Sequence, residues 1–379
     1  MSGIAFALGA TGQIGRAAVR RLAEHGWRVR AASRGVREPG SLWPPDLDID
    51  MVHLDRENDS ALNEGIGKGC DVLVDCIAFH TRHARQLCVL RNKIGAVVVI
   101  SSFMVYTDTA KRTFNTEPQE FPALPVPVAE TQPTITPDND TYAGGKVAVE
   151  QTLFMASAFP VTVLLAGMVH GAGSATPREW YFVKRALDRR RIRLLAYRGQ
   201  SRCHPTATIN LAELIRLAAT HPGDRVLNAG DPQAPTVLEI AVHIDTVLDQ
   251  EVEEILLDGA PEAGLGMTPW SIPNPVVLDM RLAERELRYR PITDYATTLP
   301  ETVTWLVEAT RDHDWQKIFP KLASRWRFSR FDYAAEDRWL AVHRVPGRKL
   351  SPTENGHRVS GHGGVLVQGL ASEHGVEDR

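Results

Sequence analysis

Residues 4–15 read IAFALGATGQIG, and this stretch decides the class of fold. The apolar run at 4–8 predicts a buried strand, and the apolar periodicity of 15–25 predicts a helix. Three glycines lie at the junction, where one permits a sharp turn, another lets the backbone approach a pyrophosphate, and the third lets helix and strand pack closely. The positive end of the helix also attracts phosphate. The loop therefore predicts dinucleotide binding, with contacts from Gly9, Thr11, Gly12, Gln13, Ile14 and Gly15.

Strand and helix patterns alternate through the first half of the chain. Strands are predicted at 27–32, 51–54, 71–78, 96–100 and 161–165, and helices at 82–92 and 142–156. Residues 96–100 read AVVVI, a continuous β-branched run typical of a parallel strand covered on both faces. This alternation predicts an α/β fold built on a Rossmann-type, doubly wound parallel sheet.

Composition changes along the chain predict four regions. Residues 1–171 form the predicted dinucleotide-binding Rossmann domain, which contains a Pro-rich insert at 107–140. Residues 172–312 are predicted to be mainly a smaller, mixed α/β substrate-binding lobe. The aromatic-rich residues 313–348 predict a helical appendage, and residues 349–379, which are rich in Gly, Ser, His and charge, predict a disordered tail.

The net charge and the cysteine content limit the classes of partner and the compartment that we expect. The formal net charge is -3, so we expect no nucleic-acid partner. No stretch approaches the roughly 20 apolar residues that span a bilayer, so we expect no membrane association. The four cysteines have no metal-ligand spacing, which predicts free thiols in a reducing compartment and no metal site. With no targeting segment visible, the predicted location is the cytoplasm.

The end of the second predicted strand bears on the choice of coenzyme. Residues 32–35 read ASRG, so an arginine stands where NAD-binding loops place an acidic residue. Arg34, with Ser33 beside it, can pair with the 2′-phosphate of NADP, which favours NADP over NAD. A solvated loop arginine is the alternative interpretation. Asp55, just after the third strand, is predicted to meet the adenine end, although a turn aspartate fits the pattern nearly as well.

A second group of residues can transfer protons. Ser102 follows the predicted strand at 96–100, while Tyr142 and Lys146 stand four apart on a predicted helix and share a face. An ammonium near a phenol favours the phenolate and so lowers a pKa that is otherwise near 10. Together the three side chains form a predicted proton relay beside a hydride donor or acceptor. Gly144 and Gly145 inside the helix predict close approach of another group, or else a frayed helix start.

Three segments carry a resemblance to a known family. GATGQIG (9–15), ISSFMVY (100–106) and YAGGKVAVEQTL (142–153) together resemble the extended short-chain dehydrogenase/reductase superfamily, of the NAD-dependent epimerase/dehydratase type. The resemblance spans residues 4–306 and is strongest up to 171. It implies that Ser102, Tyr142 and Lys146 are catalytic and that residues near Ala78 line the cofactor. Dimers formed through the helices that flank the YxxxK segment are common in the superfamily, which makes a homodimer an expectation.

The chain departs from the family pattern in three places. Ser102 and Tyr142 are 40 positions apart, which is longer than usual because of the Pro-rich insert. The Arg-Pro pair that often follows the sixth strand is missing from LAGMVHG (165–171). Arg202 remains as an anion contact and is the predicted substrate-binding residue, but Asn210 replaces the usual acid, which weakens the case for a diphosphate in the substrate.

Three functions stay open at this point. The leading prediction is an NAD(P)-dependent oxidoreductase of the carbonyl reductase or alcohol dehydrogenase type that acts on a small metabolite. The alternative is an NAD-dependent sugar or sugar-nucleotide epimerase or dehydratase, since the same triad serves both. Phe103 and Met104 follow Ser102 where the resemblance implies an acid in dehydratases, so a dehydratase is disfavoured. The second alternative is a non-catalytic dinucleotide-sensing or RNA-binding relative, against which the intact triad and the net charge argue.

Overall fold

A central parallel sheet organises the chain. The computed structural model describes residues 3–35, 42–117, 120–326 and 330–343. The strands in these ranges are β1 (Ile4–Leu8), β2 (Arg28–Ser33), β3 (Ile49–His53), β4 (Val72–Asp75), β5 (Val97–Ser102), β6 (Val161–Ala166), β7 (Met168–His170), β8 (Ile192–Leu195), β9 (Pro205–Ala207), β10 (Arg225–Ala229) and β11 (Glu253–Leu256). Seven of them form one sheet in the order β10-β6-β5-β4-β1-β2-β3, with every neighbouring pair parallel. The predicted doubly wound fold is confirmed.

Helices cover both faces of this sheet. They are α1 (Gln13–Glu24), α2 (Asp59–Ile66), α3 (Thr81–Val89), α4 (Tyr142–Ala156), α5 (Trp180–Leu187), α6 (Thr208–Thr220), α7 (Val237–Val247), α8 (Arg281–Leu287), α9 (Tyr295–Thr310), α10 (Trp315–Ile318), α11 (Pro320–Arg325) and α12 (Tyr333–His343). None of these described helices has the length and apolar character that crossing a membrane requires.

The apolar run of β5 is unalternating because its two faces feed different cores. Val97 and Val99 belong to one buried cluster, whereas Val98 and Ile100 belong to the cluster on the opposite side of the sheet. Successive side chains of a strand point to opposite faces, so a strand covered on both sides must be apolar throughout. The carboxyl ends of β1 and β4 meet at the point where the strand order reverses, which is where such sheets bind ligands.

Part of the predicted substrate lobe completes the Rossmann sheet. Strand β10 pairs with β6 at the sheet edge, and α6 packs against α1. The sequence predicts that both elements belong to the 172–312 region, whereas in the structure they are part of the sheet domain. The rest of that region contains two small parallel strand pairs, β7 with β9 and β8 with β11.

The Pro-rich insert is a packed loop. In its described parts, 107–117 and 120–140, it contains neither an α-helix nor a β-strand. Asp108 accepts hydrogen bonds from the backbone N–H groups of Ala110, Arg112 and Ala123. These bonds hold the first half of the insert in a closed loop. The insert then leads into α4, where Asp138 accepts a hydrogen bond from the Thr141 N–H at 2.7 Å. It therefore fixes the start of the helix that carries Tyr142.

The residues after α9 form helices that dock on α5. Trp180 of α5 contacts the rings of Trp315 and Phe319, each with centroids 6.2 Å away. Arg185 of α5 also donates to Glu336 of α12 at 2.6 Å. The predicted disordered tail at 349–379 lies outside the described residues.

Candidate active site

The glycine loop has the geometry of a phosphate cradle. Gly9 turns the chain with a φ of +77°, a conformation that disfavours other residues. An added Cβ on Gly15 would stand 2.2 Å from the Gly9 carbonyl oxygen, so only glycine lets α1 pack this closely. Gly12 precedes α1 without any side-chain cap, which leaves the positive helix end open to an anion.

The other predicted loop residues connect the cradle to its surroundings. The Thr11 hydroxyl donates to the Ser33 hydroxyl at 3.1 Å, which joins the loop to the end of β2. The Gln13 amide donates to the Gly171 carbonyl at 2.8 Å, which joins it to the segment after β7. Ile14 is partly buried against the core on the α1 side of the sheet.

The residues predicted to choose the coenzyme lie on the outer edge of the sheet. Arg34 follows β2, is exposed, and has no hydrogen-bond partner within the described ranges. Arg37, close by in sequence, lies outside the described residues. Asp55 is exposed after β3 and accepts a hydrogen bond from the Glu57 N–H at 3.1 Å, which is the turn role that the sequence left open.

Lys146 is buried beneath the site. Its ammonium group donates to the carbonyl oxygens of Ala78, in the segment after β4, and of Ile100, within β5, both at 2.8 Å. It also lies 4.4 Å from the centre of the Phe79 ring and 5.7 Å from that of Tyr142. Burial lowers the pKa of Lys146 to about 8, against the charges of Asp75 and Glu150, which raise it. The structure thus brings Ala78, Tyr142 and Lys146 together.

Tyr142 is the first residue of α4, and 48% of its surface is exposed. Burial of its hydroxyl raises the pKa of Tyr142, while a side-chain hydrogen bond from Ser102 and the charges of Arg325 and Arg178 lower it. The sequence predicts that Lys146, together with the positive nicotinamide ring of a bound coenzyme, lowers this pKa, and this stays a prediction. In the structure the ammonium of Lys146 is directed at two carbonyls, and the loss of water around the phenol is the largest influence on its pKa.

The two glycines of α4 mark close approaches and not a frayed helix. A Cβ on Gly145 would stand 2.2 Å from the Phe79 carbonyl oxygen, and one on Gly144 would stand 2.0 Å from a carboxylate oxygen of Asp138. Thr141 caps the helix by accepting a hydrogen bond from the Gly144 N–H at 3.0 Å. The glycines therefore let α4 settle against the segment that follows β4.

An unpredicted carboxyl lies one turn below Lys146. Glu150 is buried and accepts a hydrogen bond from the Ser101 hydroxyl. Burial raises the pKa of Glu150 to about 7, while Ser101 and Lys146 lower it. The four-residue spacing from Lys146 was the available signal, because it places both side chains on one helix face.

We expect Glu150→Gln to change how stability depends on pH. A carboxyl whose pKa is raised on folding stabilises the protein below its ordinary value of 4.5, and this contribution is lost as the pH rises through about 7. Denaturant unfolding of the wild type should therefore show a fall of up to about 3 kcal/mol between these pH values, since each pKa unit corresponds to about 1.4 kcal/mol. Glutamine keeps the acceptor for Ser101 and does not titrate, so the variant should lack this fall.

The control for this measurement is Glu64→Gln, which changes an exposed carboxylate on α2. It should follow the wild-type curve. A Glu150→Gln curve that runs parallel to the wild type across the same pH range would show that Glu150 does not titrate there.

A second buried network lies behind the site. Arg56 donates to both carboxylate oxygens of Asp75, at 2.8 and 2.6 Å, and the two side chains are 4% and 0% exposed. The same guanidinium donates to the His83 carbonyl at 3.3 Å and to the Gln86 amide oxygen at 3.2 Å. Asp75 is the last residue of β4, and Arg56 lies just after β3. The pair therefore joins the segment after β3, together with α3, to the strand that leads to Ala78.

The predicted substrate residue Arg202 and the family departure at Asn210 lie in different surroundings. Arg202 is exposed and its side chain makes no hydrogen bond or ion pair among the described residues. Against the effect of burial, the Thr236 hydrogen bonds and then the positive charge of Arg202 lower the pKa of the Glu239 carboxylate.

Asn210 is buried, donates to Asp231 at 2.8 Å, and accepts from the Ile292 N–H at 2.8 Å. The Asn210 side chain therefore holds the backbone at Ile292 in place. Within the described ranges, no three His, Cys, Asp or Glu side chains are arranged to hold a metal ion.

The parallel sheet, the glycine loop and the tyrosine–lysine helix define a dinucleotide-binding enzyme fold. The model of the NAD dependent epimerase/dehydratase family matches residues 5–230, which is more than half of the chain. The protein belongs to this family. A search of curated proteins found no significant match.

Solved structures share the fold at low identity. The WbmH enzyme of Bordetella bronchiseptica, solved with NAD+, is 16% identical, with a TM-score of 0.62, and the match covers 81% of this chain and 99% of that chain. UDP-N-acetylglucosamine 4-epimerase of Methanobrevibacter ruminantium M1, solved with UDP-N-acetylmuramic acid, is 17% identical, with a TM-score of 0.60 and coverage of 81% and 99%. The dTDP-glucose 4,6-dehydratase of Bacillus anthracis str. Ames, solved with NAD, is 16% identical, with a TM-score of 0.60 and coverage of 81% and 97%.

Proposed function

We propose that the protein is an NAD-dependent epimerase that acts on a secondary alcohol of a sugar or sugar nucleotide. The observation that carries the proposal is the position of Lys146, whose ammonium group donates to the carbonyls of Ala78 and Ile100 and lies 5.7 Å from the centre of the Tyr142 ring, at the carboxyl end of the sheet. The family match favours this activity over the carbonyl reductase that the sequence suggested first. The comparison structures include epimerases and a dehydratase.

The residues present fit a bound dinucleotide. The cradle of Gly9, Gly12 and Gly15 is open where a pyrophosphate would meet the end of α1, and no side chain fills it. When bound, NAD+ supplies the hydride acceptor for the alcohol carbon. Ser102 would hold the reacting oxygen, and Tyr142 would take its proton as phenolate and give a proton back as phenol after the carbon is reduced again. The positive charges of Lys146 and of the bound coenzyme would favour the phenolate, whose pKa burial alone raises.

A dehydratase is disfavoured by the residues after Ser102. Loss of water from a sugar needs an acid beside the serine, but Phe103 is buried and Met104 is apolar. The side chains at these positions cannot donate a proton to a leaving hydroxyl. An epimerase is therefore a better proposal for this protein than a dehydratase.

A reductase that uses NADP is the second candidate, and Arg34 favours it. Its guanidinium is exposed and unpaired at the end of β2, in the part of the chain that the structure describes, and it can bind the 2′-phosphate that distinguishes NADP. NADP preference and an exchangeable coenzyme belong together in a reductase. An epimerase instead recycles a coenzyme that it keeps.

Analysis of the coenzyme tests both candidates. We expect the purified protein to release stoichiometric NAD when it is denatured. An empty protein that binds NADPH at least about tenfold more tightly than NADH, with the preference lost in Arg34→Ala, would support the reductase instead. Arg20→Ala, an exposed arginine of α1, is the matched control. Binding of neither coenzyme would contradict both candidates.

We also propose that the protein is a cytoplasmic homodimer that associates through α3 and α4. Val89 of α3 and Met155 of α4 are 78% and 83% exposed, which leaves apolar side chains for a partner to cover. Sedimentation should show a dimer, and Met155→Lys should shift it to the monomer. A wild-type monomer would contradict this part of the proposal.

A further inference from the structure

The segment after β4 lies against the tyrosine and the lysine of α4. The Ala78 carbonyl accepts a hydrogen bond from the Lys146 ammonium at 2.8 Å. The Phe79 ring has its centre 4.4 Å from the same ammonium and 6.2 Å from the centre of the Tyr142 ring. The Phe79 carbonyl approaches α4 so closely that a Cβ on Gly145 would stand 2.2 Å from it. The position of this segment therefore fixes the surroundings of both side chains.

A histidine of α3 holds this segment by its backbone. The Phe79 N–H donates to Nδ1 of His83 at 3.0 Å. At the other end of the same ring, Nε2 lies 2.7 Å from a carboxylate oxygen of Glu57, and the His83 side chain is 4% exposed. Arg56 in turn donates to the His83 carbonyl at 3.3 Å. Both ring nitrogens and the backbone of His83 are thus held in place.

The donor at Phe79 determines the protonation state of this ring. A backbone N–H can only donate, so Nδ1 of His83 must carry a free lone pair. The proton of the neutral ring is then on Nε2, which donates it to the Glu57 carboxylate. In a protonated imidazole both nitrogens are donors, and an N–H on Nδ1 would face the Phe79 N–H across 3.0 Å. The hydrogen bond to Phe79 therefore exists only while His83 is neutral.

Charged and titratable groups of three segments surround the His83 ring. Burial and the positive charge of Arg56 lower the pKa of His83, while Glu57 and Asp75 raise it. His80, which precedes α3, lies beside the same ring with centroids 5.5 Å apart. The net effect is a pKa below the ordinary value of 6.5, so the ring is neutral at pH 7 and gains a proton only in mild acid.

We propose that His83 is a positioning residue for the proton relay, and that it holds the segment after β4 against Lys146 only while its imidazole is neutral. A second proton on the ring breaks the bond to Phe79 and frees the carbonyl and the aromatic ring that contact Lys146. His83 thus acts on the relay through its neighbours. This inference rests on the proposed function, because it takes Tyr142 and Lys146 as the residues that move the proton.

Nuclear magnetic resonance of the purified full-length protein reports on these contacts without a substrate. With isotope-labelled phenylalanine, the Phe79 N–H signal, assigned through Phe79→Leu, should shift as the pH falls below 6.5. With isotope-labelled lysine, the Cε signal of Lys146 is displaced by the ring current of Phe79, and this displacement should shrink over the same pH range. The Lys146 ammonium itself titrates near its pKa of about 8, outside this range.

Two variants of His83 separate the hydrogen bond from the charge. In His83→Asn the amide oxygen replaces Nδ1 as the acceptor and does not titrate, so both signals should keep their high-pH positions in acid. His83→Ala offers no acceptor, so both signals should be displaced at every pH, and the wild-type signals should reach these positions in acid. His80→Asn changes the exposed neighbouring imidazole and is the matched control, which should titrate like the wild type.

The rate of coenzyme reduction connects this contact with the proton relay. Below the pKa of His83, single-turnover reduction of the bound coenzyme by UDP-glucose should slow about tenfold more per pH unit in the wild type than in His83→Asn. Glu150 and Lys146, whose pKa values are about 7 and about 8, titrate in both proteins. The difference between the two curves therefore belongs to His83.

The outcomes distinguish this inference from the proposed function. Phe79 and Lys146 signals that stay constant below pH 6.5, or that shift equally in His83→Asn, would overturn the inference. Equal rate profiles of the wild type and His83→Asn would also overturn it, because the contact would then not govern the relay. Signals that titrate as expected in a protein that binds neither NAD nor NADP would overturn the proposed function and leave the contact itself established.

Discussion

Tyr142→Phe should lower turnover by at least about 10²-fold and leave coenzyme binding unchanged, because general acid–base catalysis contributes on this scale. The variant removes only the hydroxyl. The ring stays against Phe79, with centroids 6.2 Å apart, and the Thr141 cap keeps the start of α4 in place. The loss should therefore fall on the proton transfer alone.

Single-turnover reduction of the bound coenzyme by a sugar-nucleotide probe measures this effect directly. The matched control is Tyr106→Phe, which removes a buried hydroxyl that donates to Asn228 at 2.7 Å. That change should lower stability by roughly 1 kcal/mol or more and leave turnover near the wild-type value. Unchanged turnover in Tyr142→Phe would remove Tyr142 from the mechanism.

Arg56→Met should destabilise the protein by roughly 3–5 kcal/mol, the usual cost of breaking a buried ion pair from one side. Methionine fills much of the same volume, but it leaves the fully buried carboxylate of Asp75 without its two hydrogen bonds from Arg56, and only the one from the Ile77 N–H remains. The free energy of unfolding, measured by denaturant at neutral pH, reports this loss.

The neighbouring pair of Arg82 and Glu57 supplies the control. Its side chains are 51% and 50% exposed, so Arg82→Met should cost at most about 1 kcal/mol. The double variant Arg56→Met/Asp75→Leu should regain much of the loss, because no unpaired charge then remains buried. A loss in Arg56→Met no larger than that in Arg82→Met would contradict the importance of burial here.

Local patterns predicted the elements that carry the cofactor site. The strand at 4–8 and the helix at 142–156 have the predicted bounds, because the apolar run, the Gly9 turn and the helical periodicity are all encoded by neighbouring residues. The strand predicted at 71–78 is shorter, since β4 ends at Asp75, whose carboxylate accepts the Ile77 N–H at 2.9 Å and so turns the chain. The guanidinium of Arg56 that holds this carboxylate comes from 19 positions away, which no local pattern reveals.

The sequence by itself determined the parallel sheet, the glycine cradle and the face shared by Tyr142 and Lys146. Each follows from spacings of a few residues. At that range the periodicity of the side chains and the conformational freedom of the backbone allow few alternative structures. Only the tertiary structure decided that β10 returns to the sheet, that burial raises the pKa of Tyr142, and that Lys146 reaches the carbonyls of Ala78 and Ile100. These features depend on which distant segments exclude water from one another, and burial of that kind is a property of the packed chain and not of any short stretch.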